Sequence, residues 1–256
     1  WIRMGERATH YLHTYPAKLL PQIAHFFLAA SCLSKPGEQV LDPFGGTGTV
    51  ALEAILSKRI ALYADSNPLA RLISQTKTSS YNTRTLKNAF KRIEMRYRLS
   101  RTRTAPNVIN INYWYDKATI RQLARLKHAI DLEKNAHTRA FFSVTLSAVA
   151  RKVSKADPRF SVPVRKKNGK KSKNENKTSK TAWDCFEEQF NSNINRVKAF
   201  KAFGEDLPTA HCVGIDARTL FDPADQSKRL ADDSVSLIIT SPPYASAQKY
   251  IRASSL

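Results

Sequence analysis

Apolar residues follow two different periods along the chain, and the change of period divides the chain into three stretches. Short apolar runs rich in β-branched residues occur towards both ends, which predicts buried strands around residues 39–43, 60–65, 211–216 and 235–240. A helical pattern follows the first run over Val50–Leu56, and another begins after the second run at Ser66, Asn67 and Pro68. Strands that alternate with helices in this way predict an α/β domain with a doubly wound parallel sheet.

The middle stretch, residues 75–205, has the period of amphipathic helices instead. An earlier apolar helix is predicted from Leu19 to Leu33, starting near Pro16 because proline suits a first helical turn. The middle helices are predicted over Thr83–Leu99, Ala118–Lys134, His137–Val153 and Trp183–Phe203. In the last of them, five side chains are expected to pack in a core: Trp183, Phe186, Phe190, Val197 and Phe200. We therefore expect residues 1–74 and 206–256 to form one α/β domain, into which residues 75–205 insert a helical, basic region.

The net charge of the chain indicates which classes of binding partner to expect. The 256 residues contain 42 Lys and Arg against 21 Asp and Glu, a net charge of +21 that predicts attraction to a polyanion. Nucleic acid is the first candidate and an anionic membrane surface the second, but no apolar run approaches the ~18 residues that cross a bilayer. The first residue is Trp1, so we expect the natural N-terminus to lie further upstream.

Cysteine and histidine spacing argues against two other classes of protein. Cys32, Cys185 and Cys212 are too widely separated for a disulfide framework or a CxxC metal pair, and the six histidines show no ligand spacing. The expectation is therefore a cytoplasmic protein without a metal site.

Basic residues are concentrated between Arg151 and Ala182, where twelve Lys or Arg accompany two acidic residues. Within this segment, residues 165–180 contain almost no apolar side chain and cannot form a packed core. We expect a flexible basic arm that follows nucleic-acid phosphates. The alternative is a loop that is only solvated.

A glycine-rich turn joins the first predicted strand to the helix after it. Three glycines would let the backbone approach a ligand and leave the amides of a helix start free to bind it. An acid in such a turn suits a ligand with a cationic group rather than a pyrophosphate, and a further acid ends the second strand at a distance typical of ribose binding. The residues concerned are Asp42, Gly45, Gly46, Gly48 and Asp65. A tight turn that binds no ligand is the alternative.

The last predicted strand ends at Thr240 and opens into the turn Ser241–Tyr244, whose two prolines cannot continue a ladder. This turn presents a hydroxyl, a carbonyl and an aromatic ring at a strand's carboxyl end, where ligands bind in α/β sheets. Asp216 ends the third strand and could accept a hydrogen bond from an adenine amine. The alternative for Ser241–Tyr244 is an ordinary turn, and the alternative for Asp216 is a helix cap.

Together these segments resemble the DNA methyltransferases that use S-adenosylmethionine to modify cytosine N4 or adenine N6. The resemblance rests on Asp42–Thr49, Asp65–Ala70, Asp216–Arg218 and Ser241–Tyr244, with His13–Lys18 similar to the family's N-terminal cofactor segment. It implies a Rossmann-like methyltransferase sheet with S-adenosylmethionine as cofactor and double-stranded DNA as substrate. The implied cofactor residues are Tyr15, Lys18, Asp42, Pro43, Phe44, Gly45, Gly46, Gly48, Asp65, Ser66, Asp216 and Ala217, and the implied catalytic residues are Ser241, Pro242, Pro243 and Tyr244.

The resemblance also implies a mechanism. The Ser241 hydroxyl and the Pro242 carbonyl would accept the two hydrogens of a base amine, while Tyr244 stacks on the flipped base. A neutral serine at the first position favours cytosine N4 over adenine N6, and no cysteine lies beside a proline as cytosine C5 chemistry requires.

Two other functions remain open at this point: an RNA base methyltransferase of similar fold, and a DNA-binding subunit whose pocket is idle. The four predicted strands are fewer than a doubly wound sheet normally has. We therefore expect a partner chain or a further C-terminal segment to complete the sheet.

Overall fold

The computed structural model describes residues 7–15, 19–102, 104–105, 108–160, 163–166, 180–222 and 225–243. These residues form two compact units. The first contains the described residues up to Tyr81 and from Asn195 onward, and the second contains Asn82–Ile194. The functional roles that the sequence suggests for the two regions stay predictions.

A four-stranded parallel sheet forms the centre of the first unit, with the strand order β3-β2-β1-β6. The strands of the described residues are β1 (Gln39–Asp42), β2 (Ile60–Ala64), β3 (Ala210–Gly214), β4 (Phe221–Asp222), β5 (Asp225–Arg229) and β6 (Leu237–Ile238). Because β2 and β3 lie on one side of β1 and β6 on the other, the strand order reverses between β1 and β6. The predicted doubly wound α/β sheet is confirmed, and ligands bind such sheets at this reversal.

The helices of the described residues are α1 (Pro21–Ala29), α2 (Thr49–Leu56), α3 (Pro68–Thr78), α4 (Thr83–Leu99), α5 (Ile111–Trp114), α6 (Lys117–Asp131), α7 (Ala136–Val153) and α8 (Ala182–Lys201). Polar N-caps explain why several helices begin close to where the sequence places them. Asn67, Asn82, Asp116 and Asn135 each accept a hydrogen bond from a backbone amide in the first turn of α3, α4, α6 and α7 respectively.

The core of the first unit lies where α2 packs between α1 and the sheet. Seven consecutive residues of α2, Thr49–Ile55, are buried. An amphipathic helix would leave one face exposed, so α2 is a fully enclosed helix. It begins directly after the glycine turn, and the packing of α2 therefore fixes that turn as well.

Aromatic rings fill the core of the second unit. The ring centroids of Phe90 and Phe190 lie 4.2 Å apart at an interplanar angle of 8°, and Phe142 also stacks on Phe190, with the ring centroids 5.6 Å apart. The five core positions predicted for α8 are all buried, which confirms their assignment to packing; Trp183, Phe186 and Phe190 lie in the second unit, and Val197 and Phe200 lie in the first.

Three details of the predicted elements are wrong. The first helix begins at Pro21 instead of near Pro16, with that proline in its first turn. It ends at Ala29 instead of Leu33, because the chain turns at Ala30 and brings Ser34 to the buried guanidinium of Arg59. The antiparallel pair β4–β5 was not expected, since the polar sequence of β5 has no apolar alternation. Residues 167–179 of the predicted basic arm lie outside the described residues.

No helix among the described residues is long and apolar enough to cross a bilayer. The same residues contain no group of three or more His, Cys, Asp or Glu side chains that could hold a metal ion.

Candidate functional site

The candidate site lies at the carboxyl edge of the sheet, where the loops after β1, β2, β3 and β6 emerge. Asp42 is the last residue of β1. Thr240 comes shortly after the end of β6, which is the strand next to β1 in the sheet. The hydroxyl of Thr240 donates a hydrogen bond to Oδ1 of Asp42 at 2.7 Å. This bond joins the glycine turn to the Ser-Pro-Pro turn at the point where the strand order reverses.

The Asp42 carboxylate is almost completely buried, with 4% of its surface exposed. Burial raises its pKa to about 6, and the hydrogen bonds from Thr240 and the backbone amide of Phe44 oppose that shift. The nearby charge of Asp65 raises the pKa further. A buried carboxylate in this state would be stabilised by a cation, because an opposite charge favours the ionised form.

Two positions of the glycine turn have backbone angles that a residue other than glycine would adopt only with strain. Gly46 and Gly48 have φ angles of +51° and +68°. A Cβ on Gly48 would lie 2.9 Å from Oγ of Ser74, whereas a Cβ on Gly46 would meet nothing closer than 3.9 Å. Gly48 is therefore required by close packing, while Gly46 leaves open space beside the turn.

Helix α3 supports the glycine turn through two side chains that the sequence analysis did not single out. Oγ of Ser74 donates to the carbonyl of Gly46 at 2.9 Å, and Nζ of Lys77 donates to the carbonyl of Thr47 at 2.7 Å. Lys77 is fully buried, which is rare for a lysine and is tolerated here because its ammonium group reaches a carbonyl. Sequence periodicity gives no signal for such a contact.

Asp65 lies in the loop after β2 and is half-buried. Its two carboxylate oxygens accept hydrogen bonds from the backbone amides of Gly46 and Asn67, both at 2.8 Å. Each ionised oxygen retains further acceptor capacity, so ribose hydroxyls could still bind. The first of these bonds ties the β2 loop directly to the glycine turn.

The N-terminal segment reaches the same loop through Tyr15. Nδ2 of Asn67 donates a hydrogen bond to the Tyr15 hydroxyl at 2.9 Å. Arg71 donates to the backbone carbonyls of Asp65 and Ser66, which orders the exposed Ser66 without using its side chain. Lys18, the other predicted cofactor residue of this segment, lies outside the described residues.

Asp216 and Ala217 lie in the loop after β3, the outermost strand of the sheet. The Asp216 carboxylate forms a bidentate ion pair with Arg218 at 2.6 to 3.1 Å and also accepts the Arg218 backbone amide at 2.9 Å. These hydrogen bonds lower the pKa of Asp216 to about 2. Its local turn-capping role is thus present in the structure, and its role in binding adenine stays a prediction.

The predicted catalytic turn follows β6. Ile239 is buried and donates its amide to the carbonyl of Leu41, which fixes the start of the turn against β1. Ser241, Pro242 and Pro243 then emerge into exposed positions. Tyr244 lies outside the described residues, so its stacking role stays a prediction.

A cofactor with a cationic amino group fits the polar atoms of the glycine turn. Asp42 is a buried carboxylate that could pair with such a cation, and the Gly46 position leaves room beside the backbone. Oγ1 of Thr47 is buried without a hydrogen-bond partner among the described residues, so a ligand there could satisfy it. Pro43 is half-buried beside them, and the Phe44 ring is 40% exposed, which makes it available to contact a ligand.

A comparison with protein-family models matches the part of the chain that carries the glycine turn. Residues 9–99 match the UPF0020 family, an RMKL-like methyltransferase domain. The chain is 28% identical over 159 residues to the type II methyltransferase M.MvaI of Kocuria varians, covering 57% of this chain and 34% of that protein. It is 30% identical over 78 residues to the type II methyltransferase M.MjaII of Methanocaldococcus jannaschii, covering 30% of this chain and 14% of that protein.

The chain thus spans 34% and 14% of the lengths of these two curated relatives. No solved structure matches the chain significantly. The family match includes Tyr15, the glycine turn, Asp65 and the supporting helix α3, but it ends before the Ser-Pro-Pro turn.

Proposed function

We propose that the chain is the cofactor-binding and catalytic part of a DNA methyltransferase that uses S-adenosylmethionine and modifies the exocyclic amine of a flipped base. Cytosine N4 is the favoured acceptor, and adenine N6 is the alternative. The observation that carries this proposal is the 2.7 Å hydrogen bond between Asp42 and Thr240. It supports the proposal because it joins the end of β1, before the glycine turn, to the residue before Ser241, and direct methyl transfer requires the two bound molecules to lie close together.

The residues of the first three strands would hold the cofactor. Asp42 would bind the ammonium group of the methionine portion, the turn at Gly46 would approach the same portion, and Asp65 would accept the ribose hydroxyls. S-adenosylmethionine supplies an electrophilic methyl group on a sulfonium when it is bound. The burial of Asp42 makes its attraction for a cation stronger than it would be in water.

The turn after β6 would activate the acceptor. A base amine is a weak nucleophile because its lone pair is delocalised into the ring. The hydroxyl of Ser241 and the carbonyl of Pro242 would accept its two hydrogens, so that the nitrogen becomes pyramidal and its lone pair is directed at the methyl group. Pro243 follows without an amide hydrogen, so it cannot donate to a strand ladder and the chain stays in a turn at this point.

Both relatives are type II methyltransferases, which supports DNA as the substrate and a restriction–modification setting. The net charge of +21 agrees with a polyanionic substrate.

The deciding experiment is methyl transfer from radiolabelled S-adenosylmethionine to unmethylated duplex DNA, followed by digestion to nucleosides and mass spectrometry. We expect N4-methylcytosine. N6-methyladenine would establish the alternative acceptor, and transfer to structured RNA but not to DNA would refute the proposal.

Calorimetric titration with S-adenosylmethionine separates binding from catalysis. Binding without transfer would show a cofactor site whose catalytic partner segments are missing from this chain. DNA binding without any cofactor binding would instead establish a DNA-binding subunit with an idle pocket, and the proposal would be wrong.

A further inference from the structure

The second unit contains a basic cleft that none of the preceding assignments uses. It has a volume of about 460 Å³ and lies between the residues that follow α4 and the first turns of α6. Its lining includes Ser100, Arg101, Thr102, Arg121 and Arg125, and none of its lining residues is acidic. Small-ligand sites commonly have volumes of ~300–1,000 Å³, so the cleft can take a phosphate with part of an attached sugar.

Arg125 is held rigidly in the cleft wall. Its Nε and Nη2 atoms donate to the carbonyl of Tyr97 at 3.1 and 2.6 Å, and Nη2 also donates to the carbonyl of Arg98 at 3.0 Å. The guanidinium lies over the Tyr97 ring at 4.6 Å from its centroid. These contacts satisfy carbonyls at the end of α4 and use no Nη1 hydrogen, so among the described residues that nitrogen remains available to a ligand.

Arg101 and Arg121 are exposed, and no carboxylate of the described residues pairs with either one. Other arginines of the same unit differ in this respect. Arg92 and Arg96 both contact Glu133, and Arg98 contacts Glu94. The cleft therefore concentrates positive charge that its own unit leaves uncompensated.

Two acidic residues of this unit, Asp116 and Asp184, already accept hydrogen bonds at the starts of helices. Asp116 accepts the amide and hydroxyl hydrogens of Thr119 at the start of α6. Asp184 accepts the amide hydrogen of Thr181 at the start of α8. Their remaining influence on the cleft is weakened because both are exposed to solvent.

We infer that this cleft binds a phosphate group of the nucleic-acid backbone. Arginine presents a planar set of donors that matches phosphate oxygens, and the hydroxyls of Ser100 and Thr102 add neutral donors at the rim. A free phosphate or nucleotide has the same chemistry, so the experiment must distinguish it from the polymer. The inference rests on the proposed function only in naming DNA as that polymer.

The test compares two double variants that each remove two positive charges from exposed positions of the second unit. Arg101→Ala/Arg121→Ala changes the cleft, and Arg84→Ala/Lys87→Ala changes α4 outside the cleft. Binding of a fluorescent DNA duplex is measured by anisotropy at several salt concentrations. We expect the cleft variant to reduce the slope of log Kd against log salt by about 1 per lost phosphate contact, and the control to change it by less than half as much.

Equal slopes for the two variants would overturn the inference while leaving the proposed function intact. The second arm of the test is calorimetry with inorganic phosphate. If only the cleft variant loses phosphate binding while its duplex binding is unchanged, the cleft binds a free phosphate instead of DNA. Failure of the unaltered chain to bind any duplex would count against the proposed function, and the phosphate arm would then decide the cleft alone. Thermal unfolding of each variant checks that the fold persists.

Discussion

Asp42 has both a structural position in the sheet and a proposed role in binding the cofactor. It ends the central strand, accepts hydrogen bonds from Phe44 and Thr240, and is nearly excluded from water. An isolated carboxylate in such a position costs free energy, which explains why its pKa is raised to about 6. A buried carboxylate with a raised pKa is a candidate for binding a cation.

Asp42→Asn should stabilise the protein at neutral pH. The folded-state pKa of about 6 exceeds the unfolded value of 3.8, so the folded state binds more protons between these values and the free energy of unfolding falls as pH rises through that window. The variant should lose this decline and gain roughly 2–3 kcal/mol at pH 7. Urea unfolding at pH 4, 5 and 7 measures it, with the exposed Asp131→Asn as control.

The same Asp42→Asn variant should bind S-adenosylmethionine at least about tenfold more weakly, because an amide cannot replace the charge-assisted hydrogen bond to an ammonium. Calorimetric titration measures the affinity. An unchanged affinity would show that Asp42 does not bind the cofactor, whatever its effect on stability.

Ser241→Ala should lower the rate of methyl transfer by about 100-fold, because one acceptor for the amine hydrogens would be lost in the transition state. Cofactor affinity should stay within about twofold, since Ser241 lies on a different turn from the cofactor residues. The control is Ser236→Ala, which changes an exposed serine at the opposite end of β6. Equal transfer rates for the two variants would remove Ser241 from the catalytic site.

Among the elements, the glycine turn shows most directly how packing fixes a site. It is attached to α3 by Ser74 and Lys77, to the β2 loop by Asp65, and to the turn after β6 by Thr240. These contacts come from three separate segments. The turn therefore has little freedom to move, which is the preorganisation that a cofactor site needs.

Gly48→Ala should destabilise the protein more than Gly37→Ala. Both glycines have positive φ angles, +68° and +88°, so alanine strains the backbone at either position by ~1–2 kcal/mol. Only at Gly48 would the new Cβ also press on Ser74, at 2.9 Å, whereas nothing lies within 4 Å at Gly37. Chemical unfolding of both variants gives the difference, and equal losses would mean that Ser74 moves aside freely.

Helix boundaries were predictable wherever a local signal marks them. Helix α4 occupies the predicted range Thr83–Leu99 because Asn82 caps its start and its buried positions recur with helical spacing. The end of α1 was not predictable, since it depends on the contact between Ser34 and Arg59, which are 25 positions apart. Burial of Lys77 likewise depends on a distant carbonyl.

For the whole molecule, the net charge of +21 is the property that would affect the proposed association with DNA most broadly. Part of this charge lies in residues 167–179, which contain five lysines and one glutamate. The basic cleft of the second unit is a separate contribution. Phosphate contacts from both would add to the salt dependence of binding.

Replacing residues 167–179 with an uncharged Gly-Ser segment of equal length should flatten the salt dependence of duplex binding, because lysines that contact phosphates would be lost. Arg165, Lys166 and Lys180 are kept, since Lys166 donates its amide to the carbonyl of Lys155 and Lys180 pairs with Glu188. Anisotropy titrations over a range of salt concentrations measure the slope. A slope equal to that of the unaltered chain would mean that the arm is only solvated.

The sequence by itself determined the order of strands, turns and helices, the positions of the glycines and strand-end acids, and the excess of basic charge. These features depend on neighbours along the chain, which periodicity and turn chemistry describe directly. Only the tertiary structure decided which turns meet. Thr240 and Asp42 are 198 positions apart, and they form a hydrogen bond because the sheet places β6 beside β1. That pairing, like the basic cleft between α4 and α6, results from packing between distant segments, which local patterns do not encode.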